Sequence, residues 1–374
     1  MIRFSCEKVL LQNAVNTASR AVPPKSSIPA LEGLLLHAEQ QELTVSGYNM
    51  QTGIRTKVSA DVVESGDIVI NARLFGDIFR RSLPDDMITF RADENMMVHL
   101  TCGDTDINIA GLSAADYPDL PDVEDEHSIV LAHKTLRTMI EGTAFAVSTN
   151  ESRPIHTGAL FDVADGKLTM AAVDGFRLAV RRETLDQADG GNFSFVAPGS
   201  ALNEVKGICS GDEEKKTEIT LGKRHILFTA GNTELICRRL EGEFLDYRNA
   251  IPRKNPIVVT VDRKALIESV DRVSVVISEK LKSPVRCTFD HGRIFLSAKT
   301  GTGSGKDICR CDGDGDGLEI GFNHRYLMEA LRHAPSDTVR IELNTSVSPA
   351  VIVPVEGEED FLYMVLPVRL KSGE

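Results

Sequence analysis

The stretch EKVLLQNAVNTASRAVPPKSSIPALEGLLLHAEQQELTVSG (7–47) decides the fold, because the chain repeats it. A second copy is HKTLRTMIEGTAFAVSTNESRPIHTGALFDVADGKLTMAAVDG (133–175). A third is RKALIESVDRVSVVISEKLKSPVRCTFDHGRIFLSAK (263–299). Lys8, Lys134 and Lys264 correspond, as do Leu10, Leu136 and Leu266. Each copy opens at helical spacing, with Leu10, Ala14 and Ala18 on one stripe and Leu266, Val270 and Val273 on another. Each then passes through a polar loop into two strands of period-two alternation, as in KLTMAAV, where Leu168, Met170 and Ala172 share a face. The intervening turns are Glu39-Gln40-Gln41, Asp165-Gly166 and Asp290-His291-Gly292.

A second block follows each first block. These blocks are INARLFGDIFRRSLPDDMITFRADENMMVHL (70–100), VAPGSALNEVKGICSGDEEKKTEITLGKRHILFTA (196–230) and GFNHRYLMEALRHAPSDTVRIELNTSVSPAVIV (321–353). Phe75, Leu202 and Leu327 correspond, as do Asp77, Glu204 and Glu329. In TVRIELN, Val339, Ile341 and Leu343 point one way and Arg340 and Glu342 the other. The copies are offset by 125 to 130 residues. So long a period means tandem domains, since solenoid repeats run about 20–50 residues. YPDLPDVEDEHS (117–128) and NAIPRKNP (249–256) read as linkers. The expected domains are therefore 1–122, 128–251 and 256–374. The fold class is α+β: three tandem copies, each of two helix-plus-antiparallel-sheet halves.

Composition narrows the function. The 374 residues are 42% hydrophobic and 26% charged, as in an ordinary globular chain. MIRFSCEKVLLQNAVNTASR lacks the apolar run of a signal peptide. No stretch approaches the roughly 20 apolar residues of a membrane span. A cytoplasmic location is expected. The seven cysteines are scattered without a CxxC, so reduced, buried thiols are expected rather than a zinc or redox site. Neither a cofactor nor a metal is expected.

The net charge of −13 argues against a nucleic-acid binder when taken alone. Its distribution argues otherwise. The predicted helices, 7–20, 72–83, 133–147, 199–210, 262–277 and 323–333, hold 13 basic and 8 acidic residues, which leaves −18 on the rest of the chain. Basic helices on an acidic body suit contact with DNA phosphates without sequence preference. Arg80, Lys134, Arg137 and Arg325 lie on these helices and are candidate DNA-facing residues.

Two motifs suggest other functions and fail. KTGTGSGKD (299–307) is glycine-rich like a phosphate loop. However, Thr300 and Asp307 break the GxxxxGK[ST] spacing and no helix follows, so a flexible surface loop is expected. CDGDGDG (311–317) spaces Asp312, Asp314 and Asp316 like a calcium loop, but the twelfth position is Asn323 rather than Glu. A solvated acidic turn is expected there. No nucleophile–base pair or HExxH is visible, so the chain is not expected to be an enzyme.

Seven stretches carry a resemblance to a known family. They are SSIPALEGLLL (26–36), NARLFGDIFRRSLP (71–84), AGLSAADYP (110–118), VDGFRLAV (173–180), FLDYRNAIP (244–252), IGFNHRYLMEAL (320–331) and YMVLPVRL (363–370). Over essentially its whole length the chain resembles the β subunit of bacterial DNA polymerase III, the sliding clamp. The resemblance implies a head-to-tail homodimeric ring around double-stranded DNA, tethering the replicative polymerase for processive synthesis and opened by a clamp loader. It places Leu74 and Ile109 of one protomer near Val276 and Ile277 of the next, positions that also suit intradomain core. It adds Lys25, Arg73 and Asn150 to the DNA-facing set.

The resemblance also implies a groove for clamp-binding peptides between domains 2 and 3. Its first wall would be Val173, Gly175, Phe176, Arg177 and Leu178. Leu245, Ala250, Tyr326 and Val347 would extend it. Met364, Leu366, Pro367, Val368 and Arg369 would complete it, with Arg177 and Arg369 anchoring polar groups at the rim. Leu178, Val347 and Val368 equally suit plain core. Phe176 stands where the best-known members carry His, and Leu245 where they carry Pro. Lys371–Glu374 extend past the family's usual end.

Overall fold

The computed structural model describes residues 1–185, 191–211, 213–278, 283–356 and 360–370, and the backbone of 188–189. Residues 371–374 therefore lie outside the described residues. Among the described residues six α-helices form where the repeat predicts them: α1 Lys8–Ala18, α2 Ala72–Arg80, α3 His133–Glu141, α4 Gly199–Ile208, α5 Arg263–Ser274 and α6 His324–His333. Side-chain caps start three of them. Asn71 accepts from Leu74 N at 3.0 Å, Asp262 from Ala265 N at 2.7 Å and Asn323 from Arg325 N at 3.0 Å.

Three helices stop three or more residues sooner than the periodicity suggests. α2 ends at Arg80 because Pro84 and the residue before it disfavour continuation. α3 ends at Glu141, where the Thr143 hydroxyl donates back to Met139 O at 2.8 Å and a 3₁₀ turn follows. α5 ends at Ser274, whose hydroxyl donates to Asp271 O at 3.0 Å.

The contacts divide the chain into two compact units. The first comprises Met1–Leu136, Gln187–Gly190 and Ala201–Arg239. It holds a five-stranded sheet, in spatial order Asp61–Glu64, Ile2–Glu7, Met87–Ala92, Met97–Cys102 and Thr105–Ala110. Its nine-stranded sheet continues across two sequence copies, because Thr52–Ser59 pairs with Thr233–Arg238. The buried hydroxyls of Thr56 and Thr233 meet at 2.9 Å on that seam, and Arg55 pairs with Glu234. α1 and α2 contribute Leu11, Val15, Phe75 and Phe79 to a core that includes Phe4 stacked on Phe90 at 4.7 Å.

The second unit comprises Arg137–Asp186, Gly191–Ser200 and Leu240–Glu374. Its eight-stranded sheet joins copies 2 and 3, because Arg177–Thr184 pairs with Asp360–Val365. Its four-stranded sheet runs Gly303–Arg310, Arg293–Thr300, Val285–Asp290, Leu318–Phe322. The two halves of copy 2 thus pair with different neighbours, which is why the compact units cut through that copy.

The stretch 299–307 is not the flexible loop expected from its glycines. Arg293–Thr300 and Gly303–Arg310 form a hairpin with Thr300 opposite Gly303. A Cβ at Gly305 would lie 3.3 Å from the Val273 backbone, so the small residue admits α5 against the strand. The Asp165-Gly166 and His291-Gly292 turns carry φ of +51°/+71° and +49°/+67°, the paired positive values of a two-residue hairpin turn.

Six cysteines are buried, Cys311 is half-buried, and all seven are free thiols. Burial pushes Cys237 and Cys287 up to about 12, which keeps them protonated and unreactive. No helix among the described residues is long and apolar enough to cross a membrane.

Phe90→Ala removes a ring from the stacked core of the first unit and should cost about 3–5 kcal/mol. Urea unfolding followed by circular dichroism measures this, and an unshifted transition would contradict the packing described.

Candidate functional site

A cleft of about 560 Å³ opens in the second unit, walled in part by Phe176, Tyr326, Leu366, Pro367 and Val368. Backbone pairing brings these distant positions together. Leu178 stands opposite Met364 and Arg177 opposite Val365. Leu366 N donates to Phe176 O at 2.9 Å, and Val368 N donates to Gly321 O at 2.8 Å. The C-terminal run is thereby held on two sides, although chain ends are commonly loose.

The aromatic wall has a specific construction. Phe176 is 58% exposed and stacks on Tyr326 with centroids 6.0 Å apart. Gly175 adopts φ +90°, which accounts for glycine directly before it. Asp174 Oδ1 accepts from Phe176 N at 2.9 Å and Arg177 N at 3.1 Å, closing the turn. Its Oδ2 accepts from Arg177 Nε at 2.9 Å. Arg177 also pairs with Glu329 and lies over the Tyr326 ring at 4.6 Å. Its side chain is only 10% exposed. Arg177, expected to anchor polar groups at the rim, already has partners within the chain. Its guanidinium is engaged by two carboxylates and an aromatic face, and it braces the wall. Burial, with Asp174 nearby, raises Tyr326 above the usual phenol range. Burial, with Arg325 beside it, lowers His324, so that imidazole is neutral near pH 7.

Val173, Leu178 and Met364 do not line this cleft; they are buried in a core cluster with Tyr247, Val180 and Val351. Phe244 packs against it, whereas Leu245 is 46% exposed and Ala250 is exposed. Val347 is 65% exposed, so the plain-core alternative does not hold for it, and Arg369 is exposed. The sequence assigns no site role to Asp174 and Glu329, which hold Arg177. The Asp-Gly pair after a strand was the available signal for the first. The sequence likewise assigns no site role to His324 and Asn323 at the start of α6, which line the cleft.

Ile277, expected between protomers, lines this same cleft. Ile109 is 8% exposed and belongs to the core of its own unit. Leu74 is 44% exposed on α2, and Val276 sits 3.5 Å from where a Cβ on Gly303 would lie.

The six helices carry 11 basic and 6 acidic residues, again a surplus of five, so the remainder of the −13 chain stands at −18. Arg73 and Arg80 are exposed on α2, Lys134 on α3 and Arg325 on α6, while Arg137 is half-buried. Arg80 pairs with Asp77 at 3.1 Å and Lys134 with Glu213 at 3.7 Å. Exposed pairs of this kind are worth about 0–1 kcal/mol, so a phosphate can displace either carboxylate. Lys25 and Asn150 are exposed in loops, with Asn150 Oδ1 accepting from Ser152 N at 3.0 Å.

Asp312, Asp314 and Asp316 do not converge like a calcium loop. Asp314 Oδ1 accepts from His291 N and Asp316 N, at 3.2 and 3.0 Å, and closes the turn. Asp290, His291 and Asp314 do come close together, with His291 and Asp314 exposed.

Three family models match consecutive parts of the chain: the DNA polymerase III beta subunit N-terminal domain over residues 2–121, its central domain over 130–246 and its C-terminal domain over 248–369. The beta sliding clamp of Staphylococcus epidermidis is 28% identical over 379 residues, covering 99% of this chain and all of that one. The crystal structure of the Bacillus subtilis DNA polymerase sliding clamp superposes with a TM-score of 0.94 at 26% identity, over 99% of this chain and 100% of that one. The DNA polymerase III beta chain of Streptococcus pneumoniae gives 0.92 at 30% identity over the same shares. The chain belongs to the DNA polymerase III beta subunit family, the bacterial sliding clamps.

Proposed function

We propose that this chain is a DNA sliding clamp that encircles duplex DNA as a head-to-tail homodimer and tethers the replicative polymerase for processive synthesis. It catalyses no reaction of its own. The observation that carries this reading is the likeness to clamps along the entire chain, in sequence and in fold. The charge distribution supports it. Basic helices attract phosphates while an acidic remainder repels them, and weak exposed contacts allow sliding without sequence preference. Lys25, Arg73, Arg80, Lys134, Arg137, Asn150 and Arg325 are the proposed DNA-facing residues. The domains are taken as 1–122, 128–251 and 256–374, and the location as cytoplasmic. Leu74, Ile109, Val276 and Ile277 are proposed to lie at or beside the protomer contact.

The cleft walled by Phe176 and Tyr326, together with the neighbouring Val173, Gly175, Leu178 and Met364, is proposed to receive the short peptides of polymerase, clamp loader and other partners. Leu245, Ala250, Val347 and Arg369 extend it, and apolar walls with a methionine adapt to related sequences.

Light scattering at micromolar concentration should give twice the 40.9 kDa protomer mass. A monomer at that concentration would contradict the ring. Met364→Asp is a poor probe of the cleft because Met364 is buried in a core cluster, where a charge would disturb folding. Phe176→Asp changes an exposed wall and should weaken a polymerase-derived clamp-binding peptide at least about tenfold in calorimetry, a loss of ~1.4 kcal/mol, while the dimer persists. Unchanged affinity would remove Phe176 from the site.

A further inference from the structure

The wall of the cleft is one end of a longer column of side chains. His333 stacks on Phe145 with ring centroids 4.4 Å apart and planes 12° apart. The Arg177 guanidinium lies over the Phe145 ring at 5.6 Å from its centroid and over the Tyr326 ring at 4.6 Å. Tyr326 in turn stacks on Phe176 at 6.0 Å. Five side chains thus follow one another from the end of α6 to the open wall, with the cation in the middle. Aromatic faces attract a guanidinium at these distances, and more strongly where water is excluded.

The column is tied at several levels. Asp174 and Glu329 hold Arg177. His333 Nδ1 donates to Glu329 O at 2.8 Å. Tyr363 Oη donates to His333 O at 2.9 Å, and the Tyr363 ring meets Phe145 edge-on at 5.2 Å. Phe145 therefore joins three parts of the second unit: the 3₁₀ turn Ala144–Ala146 that carries it, α6, and the strand Asp360–Val365. It is half-buried and does not line the cleft.

The repeat contains its own comparison. Lys8 corresponds to Lys134, so Ser19 stands where Phe145 does, each in the 3₁₀ turn that follows its helix. The hairpin pairs Glu42–Ser59 and Lys167–Thr184 make Gln51 and Thr52 the counterparts of Phe176 and Arg177. Leu202 corresponds to Leu327, so Ala201 and Ile208 stand for Tyr326 and His333. These five positions hold no aromatic ring and no cation, yet the sheet runs unbroken from copy 1 into copy 2. Glu204, the counterpart of Glu329, pairs with Arg20 instead. Joining two copies therefore does not require the column. It stands at the junction that carries the cleft.

We infer that Phe145 is a positioning residue for peptide binding in this cleft, acting through Arg177 and Tyr326 on Phe176. This rests on the peptide-cleft reading above. Phe176 is 58% exposed, so its orientation depends on the ring it stacks against. Removing the Phe145 ring frees one face of the guanidinium and lets the Tyr326 ring shift. An arriving peptide must then order the wall itself, which lowers affinity.

Calorimetry on the full-length chain, with a synthetic clamp-binding peptide from a bacterial replicative polymerase, tests this. Phe145→Leu should weaken binding ~3–10-fold. Phe145→Met, whose flexible side chain fills gaps, should do the same even where leucine disturbs folding. Phe145→Tyr keeps the ring and should bind within about twofold of wild type. Phe195→Leu is the control for a merely structural loss. Phe195 stacks on Phe161 at 4.8 Å in the same sheet, with two strands between its own and Arg177–Thr184. That variant should lose stability in urea, followed by circular dichroism, yet keep its peptide affinity. A wild-type chain that fails to bind the peptide would refute the cleft reading itself. Wild-type binding with Phe145→Leu and Phe145→Met unweakened would overturn the positioning role and leave the cleft standing. An equal loss in Phe195→Leu, or a loss in Phe145→Tyr as large as in Phe145→Leu, would overturn it too.

Discussion

Backbone pairing across copies is the constraint on which the rest of this structure depends. Thr233–Arg238 and Thr52–Ser59 lie far apart in sequence yet complete one sheet, as do Arg177–Thr184 and Asp360–Val365. An edge strand left open exposes unpaired N–H and C=O groups, and the tandem arrangement covers them with the next copy. The candidate cleft is a consequence. It exists because the second of these seams sets Phe176 and Arg177 beside the C-terminal run, with Tyr326 stacked against them.

The cleft wall carries a fastened side chain on one side and an exposed one on the other. Arg177 is fixed by Asp174 and Glu329 and supports the Tyr326 ring, while Phe176 presents most of its surface to solvent. A side chain fastened by two carboxylates is a poor free anchor and a good brace. The proposed recognition surface is therefore Phe176 and the apolar surfaces around it, where water would be displaced at little polar cost.

Much of this was legible in the sequence. The three copies, their halves, the six helices and the Asp165-Gly166 turn all follow from periodicity and turn chemistry. The merging of sheets across copies does not, because backbone pairing leaves almost no side-chain signature. Arg55 and Glu234 form an ion pair 179 residues apart, and nothing local marks either. Glycines misled at 299–307, where they serve a strand under α5 rather than a loop. The charge of Arg177 is visible in sequence, but its two carboxylate partners, one of them Glu329 on α6, are not. The identity of the cleft rested on resemblance, since no spacing of catalytic or metal-binding type exists to read.

The account's central claim is topological: the protein holds DNA by surrounding it, with charge providing only a loose attraction. The direct measurement is retention of clamp-loader-assembled protein on nicked circular DNA, before and after a single cut linearises the circle, at a salt concentration that screens non-specific binding. The account predicts stable retention on the circle and rapid loss from the linear ends. Equal retention on both would contradict it.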